Sequence, residues 1–227
     1  MTLPVLMFAA GFGTRMGALT RERPKPLIEV AGRPLIDHAL DLVQGIGATQ
    51  IVANAHYKAG MLAAHLEPRG VAISQEVPDI LETGGGLKAA LPLLGDDTVI
   101  TLNTDAIWKG PNPLAQLLAQ WDPARMDALL ICVPVARTVG REKGGDFCLD
   151  AEGRISRSGD YVYGGAQVIA TAEVAGHEGR VFSMNEVWDR IAARGRLFGA
   201  VYSGRWCDVG HPEGIRIAEN LLSEPDV

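Results

Sequence analysis

The sequence has little cysteine. Cys132, Cys148 and Cys207 are odd in number and widely spaced, and no Cys-x-x-Cys pair occurs among the 227 residues. That excludes a disulfide framework and a cysteine-built zinc site, and it predicts reduced thiols that are buried or idle. The chain lacks a cationic excess as well, since 21 Lys and Arg against 27 Asp and Glu leave a formal charge of −6. Bulk charge therefore cannot hold nucleic acid, whereas a small anion needs only a few local cations. No apolar run approaches the roughly 20 residues that a bilayer demands. Met1 to Ala10 is apolar but has no basic flank and runs straight into a glycine turn, so it reads as a strand rather than a secretory signal. These absences predict a soluble, cytoplasmic protein with no membrane partner. There is no internal repeat and no linker-like stretch, and with 47% hydrophobic side chains the whole of 1–227 is expected to form one domain around one core.

What is present begins with glycine. Val5, Leu6, Met7 and Phe8 form a short apolar run, Gly11, Gly13 and Gly17 follow it, and Arg15 and Lys25 stand close by. A glycine turn after a strand lets backbone N–H groups approach an anion, and neighbouring cations neutralise it. The stretch from Phe8 to Pro26 therefore reads as a polyphosphate cradle. Lys25 lies between two prolines in a polar segment where packing has little claim on it. Two common phosphate-binding patterns do not fit. A dinucleotide fingerprint needs a third glycine where Met16 stands, and a phosphate loop needs Gly-Lys-Ser/Thr at a spacing that is missing after Gly11.

Downstream, helical and strand periods alternate. Leu35, Ile36, Ala39, Leu40 and Val43 recur at helical spacing over 34–44, with Pro34 placed as a first helical residue and Gly45 and Gly47 at the end. Further helices are predicted at 58–66, 87–94, 113–120, 185–194 and 214–222, and strands at 50–53, 71–74, 98–102, 128–133, 161–169 and 197–202. A hairpin is predicted from 147–149 and 154–156. This alternation implies an α/β fold with parallel pairing through crossovers. Thr138 to Asp146 is charged, glycine-rich and aperiodic, and reads as a mobile loop. The run Leu81-Glu82-Thr83-Gly84-Gly85-Gly86 reads either as a ligand-facing loop ahead of a helix or as a plain loop with a cap. Asn103-Thr104-Asp105 ends a predicted strand, at the sheet edge where open α/β folds bind ligands, with a turn or cap as the lesser alternative for Asp105.

Taken together, Leu6-x-Phe-Ala-Ala-Gly-x-Gly-Thr-Arg-Met16 and Pro24-Lys25-Pro26-Leu27 resemble the signature of the sugar 1-phosphate nucleotidyltransferases. Trp206-Cys207-Asp208-Val209-Gly210 is similar to that family's Trp-x-Asp-Val-Gly segment, so the resemblance covers essentially the whole chain. Glu82-Thr83-Gly84-Gly85-Gly86 looks like the subgroup that activates N-acetylmuramic acid 1-phosphate with UTP. The resemblance implies a single Rossmann-like three-layer domain with a mostly parallel mixed sheet. It also implies UTP and a sugar 1-phosphate as partners and Mg²⁺ as cofactor, with Asp105 and Asp208 as metal ligands. Arg15, Lys25, Asp105 and Asp208 are the implied catalytic residues. Ala10, Gly11, Gly13, Thr14, Arg15, Lys25, Glu82, Thr83, Gly84, Gly85 and Asn103 are the implied nucleotide contacts.

By the same resemblance Gly145, Asp146 and Gly165 are candidate sugar contacts, though each also fits turn or bulge chemistry. The chain departs from the family in three places. Thr104 stands where Gly usually precedes the aspartate, His211 replaces a small hydroxyl residue and reads as a surface or capping residue rather than a ligand, and no Glu-Lys-Pro segment of the thymidylyltransferase type occurs. No hexapeptide repeat follows the domain, which sets aside the acyltransferase-fused branch. Glucose or mannose 1-phosphate with another nucleotide remains an alternative substrate pair. A non-catalytic nucleotide-binding domain is the alternative function, and the oligomeric state stays open.

Overall fold

A computed structural model describes residues 2–141 and 144–225. The strands are β1 (Val5–Phe8), β2 (Glu29–Val30), β3 (Arg33–Pro34), β4 (Ile51–Ala55), β5 (Ala72–Gln75), β6 (Thr98–Asn103) and β7 (Ala106–Lys109), continuing with β8 (Ala128–Pro134), β9 (Thr138–Val139), β10 (Gly145–Leu149), β11 (Ile155–Gly159), β12 (Tyr161–Ala170), β13 (Leu197–Val201) and β14 (Arg205–Asp208). The helices are α1 (Leu35–Gln44), α2 (Ala59–Leu66), α3 (Glu82–Leu94), α4 (Pro113–Gln120), α5 (Ala172–Ala175), α6 (Met184–Ala193) and α7 (Pro212–Ser223).

Among the described residues the main sheet has nine strands, and its path runs β11-β10-β12-β6-β1-β4-β5, with β8 pairing β12 and β13 pairing β8. Only β12 and β11 run against the other strands, so the sheet is mixed but mostly parallel. Successive residues of β1 serve opposite faces, as the strand period requires. Val5 and Met7 join a core that includes Ile36, Ala39, Leu40 and Val43 of α1, Leu62 and Leu66 of α2 and Leu114 and Leu117 of α4. Leu6 joins the other core, with Leu87, Ala90 and Leu94 of α3 and Val187, Trp188 and Ile191 of α6. Helices thus cover both faces, and the Rossmann-like three-layer α/β architecture is the one expected. A smaller sheet, β7-β14-β9, packs under α7 through Ile107, Cys207, Val209, Ala218 and Leu221.

Local chemistry sets the boundaries. Asn112 caps α4 by accepting from Leu114 N at 2.9 Å, and Ser183 with Glu186 makes a reciprocal capping box on α6. His211 caps α7 through Gly214 N, one of the two roles that the sequence left open for it. The β10–β11 turn closes on Asp150, whose carboxylate accepts from Glu152 N and Arg154 N; the Arg154 donor above all holds its carboxyl below the usual range. All three cysteines are free; burial pushes the Cys132 thiol up to about 12 and the Cys207 thiol up to about 11.

Four expectations need correction. Pro34 is not the first turn of α1 but the last residue of the β2–β3 hairpin, with ψ at 139°. Helix α3 starts at Glu82 rather than at Leu87, so the glycine run is helical and not a loop. Strand β7 was not expected, because four residues carry little periodic signal and the partner that stabilises them, β14, lies far along the chain. Of the aperiodic loop expected at 138–146, Thr138–Val139 is instead strand β9 and Gly145 and Asp146 open β10, because each is paired by a strand from outside that segment, while Glu142 and Lys143 lie outside the described residues. Among the described residues no helix is long and apolar enough to cross a membrane.

Candidate active site

The cradle leaves β1 and turns at Gly13, whose φ of +62° favours glycine. A Cβ there would also sit 2.8 Å from the Cβ of Lys25, so the missing side chain lets the two arms of the motif close on each other. That closure buries Lys25 to 8% exposure and places its Nζ 2.7 Å from Oδ2 of Asp105. Packing and an ion pair therefore both hold Lys25, contrary to the expectation drawn from its polar neighbours. Ala9, Ala10, Gly11, Lys25, Asn103 and Asp105 line a cavity of about 220 Å³ at the C-terminal ends of β1 and β6. Gly13, Thr14 and Arg15 lie outside its immediate lining, and Thr14 begins a short 3₁₀ segment that runs to Thr20.

Asp105 and Asp208 are brought together by the unexpected strand. Asp208 pairs with Ala106 in the β7–β14 ladder, and Val209 N donates to the Asp105 carbonyl at 2.8 Å. Burial raises the Asp208 carboxyl above the usual carboxylate range; the charge of Asp105 adds to this, and Lys25, Arg15 and His211 oppose it. A Cβ on Gly210 would lie 2.9 Å from both Arg15 Nη1 and Asp208 Oδ2, so both side chains pass over that glycine. Thr104, where the family usually has Gly, has ordinary negative φ and donates from Oγ1 to the Phe8 carbonyl at 2.8 Å. The bond ties the end of β6 to the end of β1 and keeps Asp105 at the sheet edge.

The second glycine run serves close packing. A Cβ on Gly84 would meet Phe182 at 2.4 Å, on Gly85 the Arg180 carbonyl at 2.3 Å, and on Gly86 the Glu76 carboxylate at 2.6 Å. The N–H groups of Gly84 and Gly85 already donate to the Phe182 carbonyl at 3.0 and 3.2 Å. Those two donors are occupied, and neither residue lines the cavity. Glu82 and Thr83 do line it, Glu82 with a φ of +59° that a side-chain-bearing residue rarely adopts. Beside them lie two groups that the sequence reading missed, Asn54 and Glu76, only 3% and 1% exposed. The signal that could have found them is their place at the C-terminal ends of β4 and β5, the same edge that pointed to Asp105.

A second cavity, of about 320 Å³, shares Phe8, Thr83 and Asn103 with the first. Asp146 is on its wall, accepting from Arg141 Nη2 at 2.8 Å and from Tyr163 N at 3.0 Å. Gly165, with φ at +91°, lies at the irregularity where β12 shifts register against β8, and a Cβ would press on Asn103 at 2.8 Å. Gly145 is not in the cavity lining; a Cβ there would collide with Gly159 O at 2.3 Å, so it serves strand packing. The sequence reading missed Arg157, Tyr163, Gln167, Asn185 and Trp188, which also line this cavity. Trp188 Nε1 donates to Gln167 Oε1 at 2.8 Å, and Arg157 is held by Asp189 at 2.7 Å and by Asn185 at 2.8 Å. These residues come from α6, β11 and β12, and tertiary packing alone assembles them.

Two adjoining cavities, the first lined by Lys25 and Asp105 with Arg15 and Asp208 close behind them, can hold an anionic chain in one and a polar ring in the other. Among the described residues no group of three or more His, Cys, Asp or Glu is arranged to hold a metal. Two partly buried carboxylates, one of them raised by burial first and by the other's charge second, still fit a divalent ion such as Mg²⁺, which takes one or two carboxylates and completes its shell with water and phosphate.

The sequence profile of the MobA-like NTP transferase domain matches residues 5–193. N-acetylmuramate alpha-1-phosphate uridylyltransferase of Caulobacter vibrioides is 40% identical over 233 residues, covering 96% of this chain and 96% of the relative. The protein of the same name from Neisseria meningitidis serogroup B is 30% identical over 218 residues, covering 92% and 93%. Among solved structures, HddC from Yersinia pseudotuberculosis complexed with GMP-PN superposes with a TM-score of 0.77 over 98% of this chain and 100% of that one, at 18% identity. That likeness concerns the fold.

Proposed function

The chain belongs to the MobA-like NTP transferase family, among the sugar-phosphate nucleotidyltransferases, and from that membership and the site we propose that it transfers UMP from UTP to N-acetylmuramic acid 1-phosphate, releasing pyrophosphate. The observation that carries the reading is that Lys25 and Asp105, paired at 2.7 Å, line the first cavity, while Arg15 and Asp208 meet over Gly210 and Val209 N ties that segment to the Asp105 carbonyl. The names of the two relatives support the choice of sugar and of uridine.

In this reading an oxygen of the sugar phosphate attacks the α-phosphorus of UTP. A new P–O bond forms there, the bond to the β-phosphate bridge breaks, and the electron pair leaves with pyrophosphate. Both reactants are anions, so positioning and charge neutralisation supply most of the rate. Lys25, buried and already oriented by Asp105, faces the α-phosphate and the incoming sugar phosphate. Arg15 neutralises the departing pyrophosphate, and Gly11 with Ala10 and Gly13 lets the phosphates reach the backbone. Asp105 and Asp208 would hold Mg²⁺, which when bound supplies positive charge to the triphosphate. Asn103, Glu82 and Thr83 contact the nucleoside. Asp146 and Gly165 shape the sugar cavity, and Arg157 is the cation among the residues lining it, a suitable neighbour for a sugar that carries a carboxylate.

A matrix of nucleoside triphosphates against sugar 1-phosphates, assayed for pyrophosphate release, tests the proposal. UTP with N-acetylmuramic acid 1-phosphate is expected to give the highest kcat/KM, and EDTA to abolish it. Higher kcat/KM for GTP or ATP with every sugar would refute the uridylyl assignment. Binding without turnover across the matrix would make the domain a nucleotide sensor.

A further inference from the structure

Glu76 is the most buried charged side chain among the described residues, and no step above uses it. Its carboxylate is the centre of a three-link relay. Ala9 N–H donates to Asn54 Oδ1, Asn54 Nδ2 donates to Glu76 Oε1, and Leu81 N–H donates to Glu76 Oε2, each at 2.7 Å. The ends of the relay lead into two different segments that line the first cavity. Ala9 leads into the cradle after β1, and Leu81 leads into Glu82 and Thr83 at the start of α3. The helix leaves the relay no slack, because a Cβ on Gly86 would lie 2.6 Å from Glu76 Oε1 and 2.8 Å from Asn54 Nδ2.

The donor and acceptor roles allow one solution. Backbone N–H groups at both ends can only donate, so Asn54 must turn its oxygen to Ala9 and its amide hydrogens to Glu76, and Glu76 must accept at both of its oxygens. A carboxylate does this and a carboxamide does not. We propose that Glu76 is a positioning residue that sets the separation of the two nucleotide-binding segments, and so governs UTP affinity and the preference for a pyrimidine over a purine. The inference rests on the reading that this cavity takes the nucleoside triphosphate.

Steady-state kinetics of Glu76→Gln and of the exchanged pair Asn54→Asp/Glu76→Gln test it. In the single variant a donor faces a donor at one end, and KM for UTP should rise about tenfold, the scale of one lost buried hydrogen bond. KM for the sugar 1-phosphate and kcat at saturating UTP should stay within about twofold, and the UTP-to-GTP ratio of kcat/KM should fall by about the same tenfold. In the exchanged pair the carboxylate now at position 54 accepts from Ala9 and from the amide now at position 76. The oxygen of that amide accepts from Leu81, so the relay is complete again. KM for UTP should return to within about threefold of the unaltered protein. An unchanged KM for UTP in Glu76→Gln overturns the proposal. So does a fall in kcat with both KM values moving together, or an exchanged pair no better than the single variant. Should Glu76→Gln fail to fold, the exchanged pair decides alone, since only a restored relay returns both folding and UTP affinity. Calorimetric titration of UTP into the unaltered protein separates the two readings. UTP binding there with an unmoved variant sinks the relay alone, and absence of binding sinks the nucleotide reading with it.

Discussion

Two glycines of the same kind in sequence should respond in opposite directions to alanine. In Gly85→Ala the new Cβ would lie 2.3 Å from the Arg180 carbonyl oxygen, where ordinary contact begins at 3.4 Å, so the segment Arg180 to Phe182 must retreat by about 1 Å. Such overpacking costs about 1–3 kcal/mol. The retreat also weakens the two bonds that Gly84 and Gly85 donate to the Phe182 carbonyl, about 1 kcal/mol each. Alanine's better helix propensity returns about 1 kcal/mol. The net destabilisation is about 2–4 kcal/mol, a fall in Tm of roughly 4–16 °C for a chain of this size. In Gly11→Ala the Cβ meets nothing within 4 Å, and φ is not positive. Only the unfolded ensemble narrows, which stabilises by about 0.4–1 kcal/mol and lifts Tm by roughly 1–4 °C. Gly11 lines the first cavity, however, and its methyl group should raise KM for UTP about tenfold by displacing one backbone–phosphate contact. Calorimetric melting together with initial-rate kinetics on both variants reads all four quantities. Gly85→Ala with an unchanged Tm and a raised KM, or Gly11→Ala with a lowered Tm, would refute the division between packing glycine and ligand-facing glycine.

Lys25→Met keeps the buried stem and removes the charge; it should cost about a hundredfold or more in kcat/KM, near ~2.7 kcal/mol of transition-state stabilisation. Because Asp105 loses its partner, Tm should also fall, by roughly 2–4 °C for about 1 kcal/mol, and an unmoved Tm by calorimetry would show that the ion pair does not contribute. Asp105→Asn and Asp208→Asn should each remove most activity, and the double variant should be little worse than the worse single one if both serve a shared ion. Multiplicative losses in that cycle, or full activity in EDTA, would refute a shared metal. Arg157→Met should raise KM for an acidic sugar 1-phosphate and leave KM for UTP unchanged; the reverse pattern in the same assay would move Arg157 out of the sugar cavity's role.

Much of this protein was legible without coordinates because the signals are local. The alternation of periods marked α1, α2, α4, α6 and α7 and most strands of the main sheet, since the side chains that create each period lie within a few residues of one another. The glycines after β1 and the carboxylate after β6 were readable for the same reason: turn chemistry and the end of a strand are properties of short segments. Contacts of long sequence separation were not. The nearness of Asp105 and Asp208 depends on the β7–β14 ladder, and a four-residue strand has no stability until its partner is beside it. Glycine's role depended on neighbours too, for Gly84, Gly85 and Gly86 differ from Gly11 in what packs against them. Lys25 looked solvated by composition and is buried because Gly13 lets it close on Asp105. Composition and pattern determined the fold class and the glycine turn after β1, because each follows from backbone conformations that short segments choose for themselves. Tertiary structure alone decided which distant carboxylates, amides and cations share a cavity, because only the order and direction of the strands bring those side chains to one edge.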